Sequence, residues 1–182
     1  VATILFSDLS GFTLLTNKLR AGKMARLLNE YLAVMTDVIY DHGGTIDKFI
    51  GDAIMVIFGA PVEMSPVEQA ERSSQCALAM YSGLEMLNKR WAEESIPEIK
   101  MRVGIHQGPV VVGTFGGEKR SDYTAIGPTV NVASRIETAC TPGEVFISGE
   151  LFDCLPETMA EEAGDFELKG VAGTQTLFRL KA

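Results

Sequence analysis

The sequence predicts an α+β fold: a ferredoxin-like βαββαβ core extended into a larger, mostly antiparallel sheet with flanking helices. Three observations carry that expectation. The runs VATILFSD, AIMVIF and KMRVGIH have the length and β-branched, apolar composition of strands. Two long segments between them repeat apolar residues at three and four, the period of a helix with one buried face. The resulting order is strand, helix, strand, strand, helix, strand, the split βαβ arrangement, which sets helices on one face of a sheet.

The first strand, VATILFSD, ends at Asp8, and LSGFT follows as a glycine-containing turn. From Lys23 to His42, residues Met24, Leu27, Leu28, Tyr31, Leu32, Met35, Val38 and Ile39 share one helical stripe, which Gly43-Gly44 ends. DKFIGDAIMVIFG then reads as a hairpin. KFI and AIMVIF join through Gly51-Asp52, and Asp47, Lys48 and Asp52 sit at its turn end. Ser65 is placed to cap a second long helix that opens at Pro66 and buries Ala70, Cys76, Ala77, Met80, Leu84 and Leu87. KMRVGIH and PVVVGTF are expected to form a second hairpin through Gln107-Gly108. After the loop GGEKRSDY come a helix, PTVNVASRIETAC, a strand, EVFIS, and a short helix around Leu151. Two closing strands follow near DFELKG and TQTLFRL.

The chain has 182 residues, 46% of them hydrophobic and 22% charged, which suits one domain with a sizeable core. Its opening residues, VATILF, already look like a core strand, so residues 1–182 are expected to be a single catalytic domain excised from a longer, regulated protein. No apolar run reaches the length of a membrane span, and no secretory signal is present. Cys76, Cys140 and Cys154 form no CxxC pair or zinc spacing and read as free thiols, which suits a reducing, cytoplasmic location even if the full-length protein is membrane-anchored. The net charge of -8 argues against a nucleic-acid surface. It leaves room for a phosphorylated small molecule, because bound metal supplies positive charge locally.

The chemistry-bearing candidates begin with two carboxylates. Asp8 ends the first strand and Asp52 lies at the first hairpin's turn. In a split βαβ core those strands run side by side, so the two acids are expected at one sheet edge. Adjacent carboxylates repel unless a cation lies between them, and a hard divalent ion such as Mg²⁺ suits that oxygen environment. Each Asp taken alone would merely cap a turn. Between Asp8 and the next helix, the backbone N–H groups of LSGFT could receive phosphate oxygens or could simply open a helix. On PTVNVASRIETAC, Asn131, Arg135 and Thr138 share one face beside the apolar Val132, Ile136 and Ala139. That spacing fits a solvated helix face, but arginine also matches phosphoryl oxygens best. Lys48 reads as a strand-end lysine reaching for water or as a ligand contact. His42 and His106 receive no catalytic role, and the Gx4GK[ST], GxSxG and HExxH motifs are missing.

Together, ILFSDLSGFT, KFIGDAIMVIFG, MRVGIHQGPVVVG, DYTAIGPTVNVASRIE and ELKG resemble the class III nucleotidyl cyclase catalytic domain, in the family's order and over essentially the whole chain. The resemblance implies that Asp8 and Asp52 bind two divalent metal ions, Mg²⁺ or Mn²⁺, with help from the Leu9 backbone carbonyl. It implies that Lys48 and Thr124 read the base, and that Asn131 orients the ribose while Arg135 stabilises the transition state. Lys169 and Arg102 correspond to phosphate contacts. It further implies a head-to-tail homodimer whose sites draw on both chains. Lysine offers only donors and a threonine hydroxyl can accept, which complements N1 and the 6-amine of adenine, so ATP is the expected substrate. Guanylate cyclases of the family usually carry an acidic residue at the position of Lys48. Thr124 resembles a subgroup that includes bicarbonate-responsive enzymes. Pro128 stands where Asn or Asp is common, at a helix position that tolerates proline. The alternatives are a guanylate cyclase, an inactive regulatory cyclase module, and a diguanylate cyclase, the last disfavoured by the missing GG[DE]EF-type turn.

Overall fold

Alternation along the strands sets the layers. In β1 (Ala2–Ser10), Leu5 and Leu9 point to one face of the sheet, while Ala2 and Ile4 point to the other. The computed structural model describes all 182 residues. After β1 come a short helix α1 (Phe12–Thr16), the long helix α2 (Ala21–Asp41), β2 (Thr45–Ile50), β3 (Ala53–Phe58), the long helix α3 (Pro66–Ala92) and β4 (Lys100–Gly108). These strands lie in the order β2-β3-β1-β4, as the ferredoxin-like expectation requires. Beyond β4 the sheet continues through β7 (Val145–Ser148), β9 (Thr174–Leu180) and β8 (Ala160–Glu167), seven strands in all. Only the β4–β7 pair is parallel.

The helical stripes pack as their spacing predicts. Leu27, Tyr31, Met35 and Ile39 of α2 and Ala70, Cys76, Ala77, Met80, Leu84 and Leu87 of α3 are buried on one face of the sheet. The Ser65 hydroxyl accepts the Glu68 N–H at 3.1 Å and so caps α3. This face holds a cluster of 29 buried residues, against six and five in the two clusters of the opposite face. At roughly 1.5–3 kcal/mol for each large apolar side chain buried, the first face dominates stability. The second is left thin enough to carry polar machinery.

Three expectations are corrected. The helices do not keep to one face: α4 (Pro128–Ala139) crosses the other side of the sheet, with Ala133 and Ile136 buried there. Gly104 permits this, because a Cβ at that position would stand 2.2 Å from the Glu137 backbone nitrogen. The second hairpin does not form. Both edges of β4 are taken, by β1 and β7, and Pro109 has no N–H to extend the ladder. Instead β5 (Val111–Gly117) leaves the sheet and pairs with β6 (Arg120–Ile126), within the segment expected to be a loop. Finally, β1 runs on to Ser10, and Gly11, at φ +78°, turns the chain directly into α1. The short helix α5 (Gly149–Phe152) forms at Leu151 as expected. Cys76 and Cys140 are buried, Cys154 is partly so, and all three are free thiols. No helix is long and apolar enough to cross a membrane.

Candidate active site

Two polar constellations gather around the β2–β3 hairpin. The first grows from β1. Its ladder with β3 ends at Ser7–Ile54, just short of the tight turn at Gly51-Asp52, where Gly51 adopts φ +61°. The Leu9 N–H is therefore beyond the last backbone partner, and the Asp52 side chain supplies one: its Oδ2 accepts that N–H at 2.8 Å. The turn thus delivers Asp52 to the backbone immediately beside Asp8, as the core order predicted.

On its other edge Asp8 lies directly opposite Arg102 in the β1–β4 register. The guanidinium forks onto it, Nε to Oδ1 at 3.1 Å and Nη2 to Oδ2 at 2.9 Å. These hydrogen bonds raise the arginine's already high pKa. Glu137 of α4, 7% exposed, brings Oε1 to 3.6 Å from Arg102 Nε. Burial pushes the Glu137 carboxyl up, and its proximity to Asp8 pushes further the same way. The local excess of carboxylates has one cation, Arg102, to answer it.

That donor set fits a hard divalent cation. No group of three or more His, Cys, Asp or Glu side chains converges to hold a metal alone. Mg²⁺ does not need one, since it is commonly held by one or two carboxylates with substrate phosphates and waters completing the shell. Asp8, Asp52 and the backbone of Leu9 provide oxygen donors in one place.

The second constellation joins β2 to the β5–β6 ribbon. Asp47 does not sit at the hairpin turn as expected. It is the extra residue of a bulge, where the β2–β3 register shifts between Ile46 and Lys48. Its side chain is 1% exposed. Oδ2 accepts the Thr124 hydroxyl at 2.6 Å and the Ala125 N–H at 3.2 Å, while Oδ1 stands 3.7 Å from Lys48 Nζ. One buried carboxylate therefore ties together Lys48 and Thr124, which lie 76 positions apart in the sequence.

The remaining candidates stand apart from both groups. Asn131 is exposed and Arg135 partly so, and neither side chain makes a hydrogen bond or ion pair within the chain. The α4 residue that meets the acidic group is Glu137. Lys169 occupies the turn after β8, exposed, next to Leu168, which buries in the same cluster as Ile136 and Cys140. Pro128 opens α4 as expected. Sequence reasoning missed Asp47 as a buried connector, and it missed Glu137. Glu137 did leave a trace: with Ala133 and Cys140 it follows helical spacing on a buried face, an unusual position for a carboxylate.

A mixed sheet that brings two acids together at one end, with an outward-facing Asn/Arg helix, is the arrangement expected of a nucleotidyl cyclase domain. The chain belongs to the adenylate and guanylate cyclase catalytic domain family, which it matches over residues 1–182. It is 38% identical over 135 residues to Adenylate cyclase 1 of Rhizobium meliloti, a match covering 74% of this chain and 20% of that protein. It superposes on the adenylyl cyclase CyaB from P. aeruginosa with a TM-score of 0.97 and 36% identity, covering 100% of this chain and 93% of that one. The guanylyl cyclase Cya2 gives 0.91 and also 36%, covering 98% and 90%. Equal identity to an adenylyl and a guanylyl cyclase leaves base choice to individual side chains.

Proposed function

We propose that this domain is an adenylate cyclase that converts ATP to 3′,5′-cyclic AMP and pyrophosphate at sites shared by two chains of a homodimer in the cytoplasm. The observation that carries the reading is the Leu9 N–H to Asp52 hydrogen bond, which sets the second acid beside the first. Mg²⁺ or Mn²⁺ held by Asp8, Asp52 and the Leu9 carbonyl would lower the pKa of the ribose 3′-hydroxyl and hold the triphosphate. The 3′-hydroxyl loses its proton to solvent, its oxygen bonds to the α-phosphorus, the bond to the bridging oxygen breaks, and pyrophosphate leaves in line. Arg135 donates to the α-phosphoryl oxygens as charge grows there, and Asn131 orients the ribose. Lys169 and Arg102 meet the outer phosphates, which compete with Asp8 and Glu137 for the Arg102 guanidinium. Lys48 and Thr124 contact adenine.

Sharing between chains is supported by the outward, unpaired placement of Asn131 and Arg135. It is also supported by the apolar side chains that β2 and the ribbon leave in water. Phe49, Ile50, Phe115, Tyr123 and Ile126 are 37–60% exposed, a surface that a second copy would cover. Three free thiols support a reducing compartment.

The test is product formation by purified protein given ATP or GTP with Mg²⁺ or Mn²⁺ over a range of protein concentrations. Cyclic AMP in excess of cyclic GMP, with specific activity rising with concentration, is expected. Cyclic GMP as the main product, or no product with either metal, overturns the assignment.

A further inference from the structure

The proposed base-reading pair is incomplete without Asp47. Resting on the adenylate cyclase reading, we propose that Asp47 is a specificity-determining positioning residue. It takes the hydroxyl proton of Thr124, so that the threonine presents only lone pairs and selects a base carrying a donor at that point.

A threonine hydroxyl has one proton to give and can otherwise only accept. Two acceptors lie near it. Asp47 Oδ2 is at 2.6 Å, and the Ala125 carbonyl is at 3.4 Å, the far edge of hydrogen-bond distance. The proton therefore goes to Asp47. The accepting oxygen is itself held in place, because the Ala125 N–H, a backbone donor that cannot rotate away, points to the same Oδ2 at 3.2 Å. The β2 bulge turns the carboxylate inward and keeps it 1% exposed, so water does not compete for Thr124. The other oxygen stands 3.7 Å from Lys48 Nζ, beyond hydrogen-bond distance and beside a half-exposed side chain, so the firm hold of this carboxylate is on Thr124.

The consequence is a fixed polarity: a donor at Lys48 and an acceptor at Thr124. Adenine presents the reverse, an N1 acceptor and a 6-amine donor. Guanine presents N1–H and O6, which meet like groups at both points. Without Asp47 the threonine could rotate and donate to O6, and half of the discrimination would disappear. Asp47 touches no substrate atom on this proposal and acts through Thr124.

The experiment measures kcat/KM for ATP and GTP in the wild type, Asp47→Ala, Asp47→Asn, Thr124→Val and the Asp47→Ala/Thr124→Val double variant, with folding followed by thermal melting. Asp47→Ala should lower the ATP:GTP ratio about tenfold, the size of one hydrogen bond. Asp47→Asn, whose amide oxygen can replace Oδ2, should hold the ratio within about threefold of the wild type. In the Thr124→Val background, Asp47→Ala should move the ratio by less than about twofold. An unchanged ratio in folded Asp47→Ala, or the same shift with and without Thr124, overturns the proposal.

A second measurement needs no variant at Asp47. Purine ribonucleoside triphosphate differs from ATP only in lacking the 6-amine. Wild-type protein should use it about tenfold less efficiently, and equal use overturns the proposal even if Asp47→Ala does not fold. Wild-type protein that makes no cyclic AMP overturns the adenylate cyclase reading and this inference together. Wild type that cyclises ATP while Asp47→Ala keeps its ratio overturns this inference alone.

Discussion

His106 pairs with Ile4 across the β1–β4 ladder, is 9% exposed, and holds Nδ1 3.7 Å from the Glu150 carboxylate. Burial lowers its pKa, and Glu150, the charged group that faces it, opposes that only partly. The unfolded chain binds a proton near pH ~6.5 while the folded chain resists it, so below that pH the unfolded state holds more protons. Stability is therefore lost as pH falls from about 6.5 through the folded value. The raised Glu137 carboxyl gains stability over the same fall in pH, so the His106 contribution is read as a difference: from pH 7 to pH 5.5 the urea midpoint of His106→Gln should rise relative to that of the wild type, and parallel profiles would contradict it. Arg135 makes the opposite case, since it has no partner in its own chain. Arg135→Ala should cost about 10²–10³ in kcat while staying within about 0.5 kcal/mol of wild-type stability. A large fall in melting temperature would point to a structural role. At this scale Asp8, Asp52, Lys48 and Thr124 were legible as letters in motifs. Asp47 was not, because a bulge changes which way a side chain faces without leaving a pattern in the alternation.

Gly104 shows how elements are fitted together. Its Cα lies against the α4 backbone, so a methyl there would meet Glu137 N at 2.2 Å and Glu137 Cα at 2.6 Å. Neither neighbour is a flexible side-chain tip. Gly104→Ala must push α4 away from β4, and with it the helix that carries Asn131 and Arg135. We expect a loss of about 1–3 kcal/mol in stability, read by urea denaturation. The accompanying fall in kcat should exceed that of a core variant remote from α4, such as Leu87→Ala. Equal activity losses at matched stability would separate the packing of α4 from catalysis. Elements were legible where one periodicity ran uninterrupted: both long helices and strand β3 lie where their spacing put them, as does the Ser65 cap. The β5–β6 ribbon was not, because which edge a strand pairs with is decided by edges already occupied. The sequence of PVVVGTF says nothing of β7 taking the free side of β4.

Across the whole molecule the candidate polar groups fall into two separate sets. The Asp8–Asp52 group is at one end of the sheet, where β1 meets the β2–β3 turn, while Arg135 and Asn131 look outward from α4, with no hydrogen bond or ion pair joining the two sets. If each active centre takes its acids from one chain and its arginine from the other, inactivating substitutions must complement. A dimer of Asp52→Ala with Arg135→Ala has one centre that lacks both groups and one that lacks neither. With random pairing at equal amounts, half of the dimers are mixed and each has one of two centres intact. The mixture should therefore recover about a quarter of wild-type specific activity, while either variant alone stays near zero. Centres contained within single chains would recover nothing, because no chain in the mixture has both residues. Verified mixed dimers, tagged differently and purified through both tags, raise the expected recovery to about half, since each then carries one intact centre. Silence in that preparation would place the acids and Arg135 in the same chain's site and would require Arg135 to swing round from the outer side of α4 to the acidic group that Glu137 of the same helix meets.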